Sequence, residues 1–296
     1  MGLGIDVSHW SGKRDWRCLA KLGIDFAFIK ATEGATVKDE LFAHHRTSLR
    51  AAGIPCGAYH FAHPGSSAAA QAAAFCATVG HLRPTDLQPV LDLETGDGQP
   101  PARVMIWVLA FLDLAEARLG TRFIVYTGGF WRRALGDPEC LPLGQRRLWT
   151  ARYGAAPPIV PRPWKAWSIW QFSDGIHSRP PEAAKLRAHC DWNRLADHVR
   201  VADLTVAANP SAPAAIAKAP TDGWPGRAFL YPAKPLVAGE DVRRWQARMA
   251  DRGWPIAEDG KYGPRSRQAC VSLQRQAGLD PDGIVGPMTW DATFGE

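Results

Sequence analysis

The sequence predicts an α/β protein in which eight strands close into a TIM-like barrel and a small three-helix module follows. Three observations carry this. Short apolar strands alternate with helical stretches from residue 1 to about residue 205, and such alternation implies a parallel sheet. Eight strands within roughly 200 residues are enough for that sheet to close on itself. The composition then shifts at residues 206–226 to VAANPSAPAAIAKAPTDGWPG, an Ala- and Pro-rich linker, after which a short repeat introduces helices. An open doubly wound sheet is the alternative that alternation also allows.

In chain order, LGIDVS (3–8), FAFIKAT (26–32), CGAYHFA (56–62), LQPVLDLE (87–94) and FIVYTGG (123–129) are strands, each followed by a helix-like segment. KDELFAHHRTSLRAAG (38–53) and PARVMIWVLAFLDLAEARLG (101–120) are the clearest of these helices. Three further strands, RRLWTARY (146–153), KAWSIWQFS (165–173) and AHCDWNRL (188–195), have little helix between them. Beyond the linker, GEDVRRWQARMADRG (239–253) places Val242, Trp245 and Met249 near one face of a helix. DGKYGP at 259 and DGIVGP at 282 form a repeat: Asp-Gly makes a tight turn, and Pro after the second Gly suits the first turn of a helix. The expected division is a barrel over 1–205, a linker over 206–226 and a helical module over 227–296.

The 35 Lys and Arg against 29 Asp and Glu give a formal charge of +6, a mild preference for an anionic partner such as nucleic acid, a membrane surface or bacterial wall polymer. Thirteen Trp and five Tyr add flat amphipathic rings that stack on sugar faces as readily as they fill cores. No apolar run reaches the ~18 to 20 residues of a membrane span, and the start GLGIDVSHW lacks the pattern of a secretory signal. A soluble product, made in the cytoplasm, is expected. Cys18, Cys56, Cys76, Cys140, Cys190 and Cys270 lack CxxC spacing and are expected to be mostly free, buried thiols. Neither His60 with His63 nor the adjacent His44 and His45 sits in an HExxH frame, so surface or core histidines are expected, with no metal and no cofactor.

In PVLDLETG (89–96), a strand would turn Asp92 and Glu94 to one face and Leu91 and Leu93 to the other. In a barrel the reacting groups lie at the carboxyl ends of the strands. Reading each strand to its end gives Asp6, Glu33, Tyr59 with His60, Asp92 with Glu94, Tyr126, Arg152 with Tyr153, Gln171 and Asp191. Acids gathered in a partly dry cleft cannot all ionise, so one holds a proton near neutral pH. Glycosidic cleavage uses that pairing: one carboxyl protonates the leaving oxygen, and another stabilises positive charge at the sugar or orients a nucleophile. Glu94, nearer the strand end and the solvent, is the candidate acid, with Asp92 behind it as the charged partner. Against this, a lone DxE is common, Asp6 in DVS suits a turn cap, and Asp191 in DWN suits a helix cap. Their occurrence together at separate strand ends is what favours chemistry.

The segments GIDVSHWSG, FIKATEG, GAYHF, PVLDLE, YTGGFW, LWTARY, WSIWQFS and CDWNRL, in this order and spacing, resemble the family 25 glycoside hydrolases over residues 3 to about 200. The resemblance implies an irregular (β/α)5(β)3 barrel and a lysozyme that cuts the β-1,4 bond after N-acetylmuramic acid in peptidoglycan. It implies Glu94 as proton donor and Asp92 as an assistant, acting by orienting the substrate's own 2-acetamido group. Asp6 and Asp191 match its other active-centre acids, and Tyr59, Tyr126, Trp149 and Gln171 fall on its cleft positions. Glu33 matches a position for which a structural salt bridge and catalysis both stay open. Residues 240–290 are similar to the peptidoglycan-binding type 1 domain, a three-helix module. A chitinase would need a DxxDxDxE strand, and Leu87 and Val90 stand at its first two acidic positions.

The expectation is therefore a monomeric wall hydrolase whose partner is peptidoglycan, with no nucleic acid and no membrane insertion. A phage endolysin, made in the host cytoplasm and acting on the cell wall, is the first expectation. A bacterial autolysin and a non-catalytic wall-binding protein are the alternatives.

Overall fold

The structure, a computed structural model, describes residues 2–175, 190–210, 223–233, 235–277, 279 and 281–295. Strands β1 (Leu3–Val7), β2 (Phe26–Glu33), β4 (Cys56–Phe61), β5 (Val90–Asp92), β6 (Ile124–Thr127), β7 (Leu148–Ala151), β8 (Ile169–Ser173) and β9 (Asp191–Leu195) form one sheet, closed by pairing of β1 with both β2 and β9. Helices α1 (Trp16–Lys21), α2 (Phe42–Ala51), α3 (Ala68–Val79) and α4 (Pro101–Leu119) follow the first four of these strands; between β6 and β7 lie the short α5 (Gly129–Arg133) and α6 (Leu141–Gly144).

Two features depart from the sequence reading. A two-residue strand β3 (Val37–Lys38) extends the sheet beside β2 through antiparallel pairs at Thr32 and Glu33. The last strand, β9, runs antiparallel to both neighbours, whereas the other seven barrel strands pair in parallel. Asp191 therefore begins its strand rather than ending it. Because β9 is reversed, its amino end lies on the rim formed by the carboxyl ends of the others, with Asp6 directly opposite Asp191.

The two-residue period of each strand sorts side chains into two cores. Outward residues such as Ile5, Ala27, Ile29, Leu91, Val125 and Trp170 pack under the helices. Inward residues fill the barrel in layers: Phe26, Phe28, Val90, Ile124, Trp149 and Ile169 form an apolar interior. Phe28 stacks on Trp149 with ring centroids 4.8 Å apart. The neighbouring strands are glycine where these rings lie, since a Cβ on Gly4 would run into the Phe26 ring and one on Gly57 into Phe28. Above this floor the inward positions become polar, with Asp6 on β1, Lys30 on β2, Asp92 on β5 and Gln171 on β8.

Residues 206–210 still belong to the barrel. Val206 donates to the Asp86 carbonyl and Arg122 to that of Asn209. Of the sequence-predicted linker, residues 211–222 lie outside the described residues. Helices α7 (Glu240–Asp251), α8 (Pro264–Gln276) and α9 (Pro287–Phe294) follow, and both DGxxGP turns place Pro at the head of a helix. Val242, Trp245 and Met249 are fully buried, as their spacing predicts. Each turn is filled by a buried glutamine that the sequence reading did not single out. Gln246 accepts from Gly260 N–H and donates to Asp259; Gln274 accepts from Gly283 N–H and donates to Asp282.

Candidate active site

All eight residues expected at the site line one cleft at the carboxyl rim of the barrel: Asp6, Tyr59, Asp92, Glu94, Tyr126, Trp149, Gln171 and Asp191. Ser8, Trp10, Lys30, Phe61 and Tyr153 complete the lining. Arg152, at another strand end, turns away and donates to the Pro157 carbonyl.

A single amide organises the floor. Gln171 Nε2 donates to Asp6 Oδ2 at 3.1 Å and to Asp191 Oδ2 at 3.2 Å, while its Oε1 accepts from Tyr126 at 2.8 Å and Tyr153 at 3.4 Å. Asn193, which sequence reasoning missed, donates to Asp6 Oδ2 at 2.7 Å and accepts from the Trp149 indole at 2.8 Å. Its signal was the same period of two that places Asp191 on the inner face. Burial pushes Asp6 up to about 6 despite these hydrogen bonds. Burial, together with the charges of Asp6, Asp174 and Glu94, pushes Asp191 up to about 8. Of the pair, Asp191 is the one that holds a proton more tightly.

Asp92 and Glu94 lie on one face with Leu91 and Leu93 on the other, as the alternation predicts. Asp92 is buried, and its Oδ1 has no hydrogen-bond partner among the described residues. Burial first, then the neighbouring charges of Glu94 and Asp6, holds its carboxyl well above the usual range. Glu94 is exposed towards the solvent side of the cleft. Its proton is held above the ordinary value by desolvation and by Asp6, with Lys30 acting the other way. Lys30 is the one cation among the described lining residues. The walls are aromatic. Tyr126 meets Trp149 edge-on at 4.8 Å, and Trp10, 85% exposed, stands at the rim.

Glu33 is not part of this lining. It forms ion pairs with Lys30 at 2.5 Å and His63 at 3.2 Å, as the salt-bridge reading of that position requires. His60 is buried, within hydrogen-bond reach of Thr32 and Gln71 and stacked on Phe111; His45 accepts from the Trp16 indole, and His44 is exposed. Among the described residues no cluster of His, Cys, Asp or Glu is arranged to hold a metal ion. Four cysteines are buried, Cys140 is half-buried and Cys18 is exposed. The arrangement offers carboxyls in two protonation states facing one aromatic-walled groove, which suits acid-assisted cleavage of a glycan.

Comparison with known proteins agrees. The model of the glycosyl hydrolases family 25 matches residues 5–179, and that of a putative peptidoglycan binding domain matches residues 238–292. Lysozyme M1 of Streptomyces globisporus is 34% identical over 180 residues, 57% of this chain and 61% of that protein. The chain thus spans about three fifths of that relative's length. An N,O-diacetylmuramidase of Arthroderma benhamiae is 33% identical over 180 residues, 58% of this chain and 76% of that one. The crystal structure of a bacterial lysozyme from Streptomyces coelicolor superposes with a TM-score of 0.62 at 30% identity, covering 70% of this chain and 98% of that one.

Proposed function

The chain belongs to the glycosyl hydrolases family 25, and from that premise we propose that it hydrolyses peptidoglycan at the β-1,4 bond between N-acetylmuramic acid and N-acetylglucosamine. The observation that carries this reading is the convergence of Asp6, Asp92, Glu94 and Asp191 on one cleft whose other walls are aromatic. Glu94 acts as the general acid. Desolvation and the Asp6 charge make it hold its proton more tightly than an ordinary glutamate, and its place nearest the solvent gives it access to the glycosidic oxygen. Asp92 assists from beneath: its unpartnered Oδ1 is free to accept the N–H of the substrate's 2-acetamido group, steering that group's carbonyl oxygen to the anomeric carbon as charge develops there. Asp6 and Asp191 share a proton below, and Gln171 and Asn193 fix their orientation. Tyr59, Tyr126, Trp149 and Tyr153 hold the sugar rings.

The C-terminal module, with its match to a peptidoglycan-binding family, serves as a wall anchor that raises the local concentration of substrate at the barrel. The setting we propose is host lysis by an endolysin acting at the bacterial cell wall, with an autolysin as the other setting in which the same two parts are useful. Mass analysis of digested walls tests the chemistry. New reducing ends should be muramic acid; glucosamine ends, or intact glycan with cut peptides, would overturn the reading. For the setting, expression in a bacterial cytoplasm should leave cells intact until the membrane is permeabilised, and lysis should follow. Cells that stay whole after permeabilisation would count against it.

A further inference from the structure

The network around Glu33 extends beyond Lys30. His63, two residues beyond the end of β4, lies between two carboxylates: its Nε2 is 3.2 Å from Glu33 Oε1, and its Nδ1 is 3.1 and 3.3 Å from the two oxygens of Asp97. Asp97 lies three residues past Glu94, in the turn that carries the acid away from β5. Asp97 has a φ of 48°, in the left-handed region that a non-glycine residue occupies only when its surroundings hold it there. Its carboxylate accepts from Gly65 N–H at 2.9 Å and Thr95 Oγ1 at 3.2 Å, and its own N–H donates to Thr95 Oγ1. The His63 backbone is fixed in turn. Its N–H donates to Gln71 Oε1 and its carbonyl accepts from Gln71 Nε2, on a side chain that is fully buried.

An imidazole can donate from both nitrogens only when it carries the second proton. We infer that His63 is a positioning residue for Glu94: as an imidazolium it ties the Glu94–Asp97 turn to the end of β2, and through Glu33 it steadies the Lys30 ammonium that faces the cleft acids. This rests on Glu94 as the acid. The charged form is the one the surroundings favour. Burial works against it, but the hydrogen bonds the ring donates to Glu33 and Asp97 and the attraction of both carboxylates outweigh burial and hold the His63 pKa above its ordinary value. The groups that face the ring are Glu33 from β2 and Asp97 from the turn, with Lys30 behind Glu33, His60 on β4, and the Phe61 ring 5.5 Å away. Because that pKa is raised, the bridge is complete below it and lost as pH rises through it.

The test compares kcat and KM of the full chain on bacterial cell walls across pH, for wild type, His63→Ala, Asp97→Asn and the double variant, well below their melting temperatures. His63→Ala should lower kcat about tenfold at acid pH with KM little changed, since a displaced reacting group costs rate more than binding. The ratio of wild-type to variant kcat should fall towards one at alkaline pH, where wild type has lost the bridge as well. Asp97→Asn should cost a similar factor, and the double variant no more than either single change. A ratio that stays flat with pH, a kcat within twofold of wild type at acid pH, or additive losses would overturn the assignment. Glu94→Gln in the same assay tests the acid by itself: activity retained there counts against Glu94 whatever His63 does.

Discussion

The acid proposed above, Glu94, can act only while it holds a proton, and the amide of a glutamine in its place offers a neutral donor that cannot release one. Glu94→Gln should therefore lower turnover on cell walls by at least ~100-fold, as removal of a general acid does. The melting temperature should not fall, since the side chain is exposed at the cleft and the charge it removes lies near Asp6 and Asp92. A smaller loss would mean that another group supplies the proton. Asp191 gives a prediction of the opposite sign. Its pKa stands at about 8 against an ordinary 3.8, so the folded protein keeps a proton that the unfolded chain has released. Stability contributed by that proton is complete below the ordinary value and is lost as pH rises towards 8. Asp191→Asn keeps a donor for Asp6 and removes the cost of ionisation. Melting at pH 8 should show a gain of ~1 kcal/mol, typical of relieving an active-site strain, with activity reduced. The gain should vanish near pH 4, and an equal shift at both pH values would contradict the buried-acid account.

Strands are the elements most legible in the sequence, because a period of two by itself places Asp92 with Glu94, and Asp6 with Gly4. The same period puts Lys30 and Asn193 on the inner face, yet it does not single them out. A polar side chain inside an apolar run becomes meaningful only once the layer it joins is known. Strand direction is set by the connection and by pairing, which explains why periodicity alone leaves β9 parallel and Asp191 at its end. The two-residue β3 is too short to show a period at all. Gln246 and Gln274 carry no local signal because each closes a turn 13 or 8 residues further along the chain. The layering makes a prediction at this scale. Gly4→Ala adds a methyl where the Phe26 ring already lies, in a closed barrel with no route outward. It should cost ~1–3 kcal/mol through overpacking, read as a lower denaturation midpoint with the slope unchanged. Wild-type stability in that variant would mean that the interior is looser than this packing implies.

The two bodies of the chain share an apolar surface. Ala228 and Ile284 from the C-terminal part lie in the buried cluster of the barrel, Leu230 packs against both cores, and Ile106 on α4 packs against the module. The Asp113 carboxylate, also on α4, lies against Gly286 at the head of α9, where any Cβ would collide with it. The module is thus held against the outer helix layer through Ile106 and Asp113 of α4. If the module is the wall anchor proposed above, its tethering acts by raising the local concentration of substrate at the barrel. Deleting residues 227–296 should then have two separable effects. The truncated barrel should cosediment much less with cell walls yet cleave short soluble glycan fragments at a rate near that of the full chain. It should also melt a few degrees lower, by about 2–4 °C for each kcal/mol that apolar packing against α4 contributes. Unchanged sedimentation would contradict the anchor, whereas an unchanged melting temperature would contradict the docked interface and leave the anchor standing.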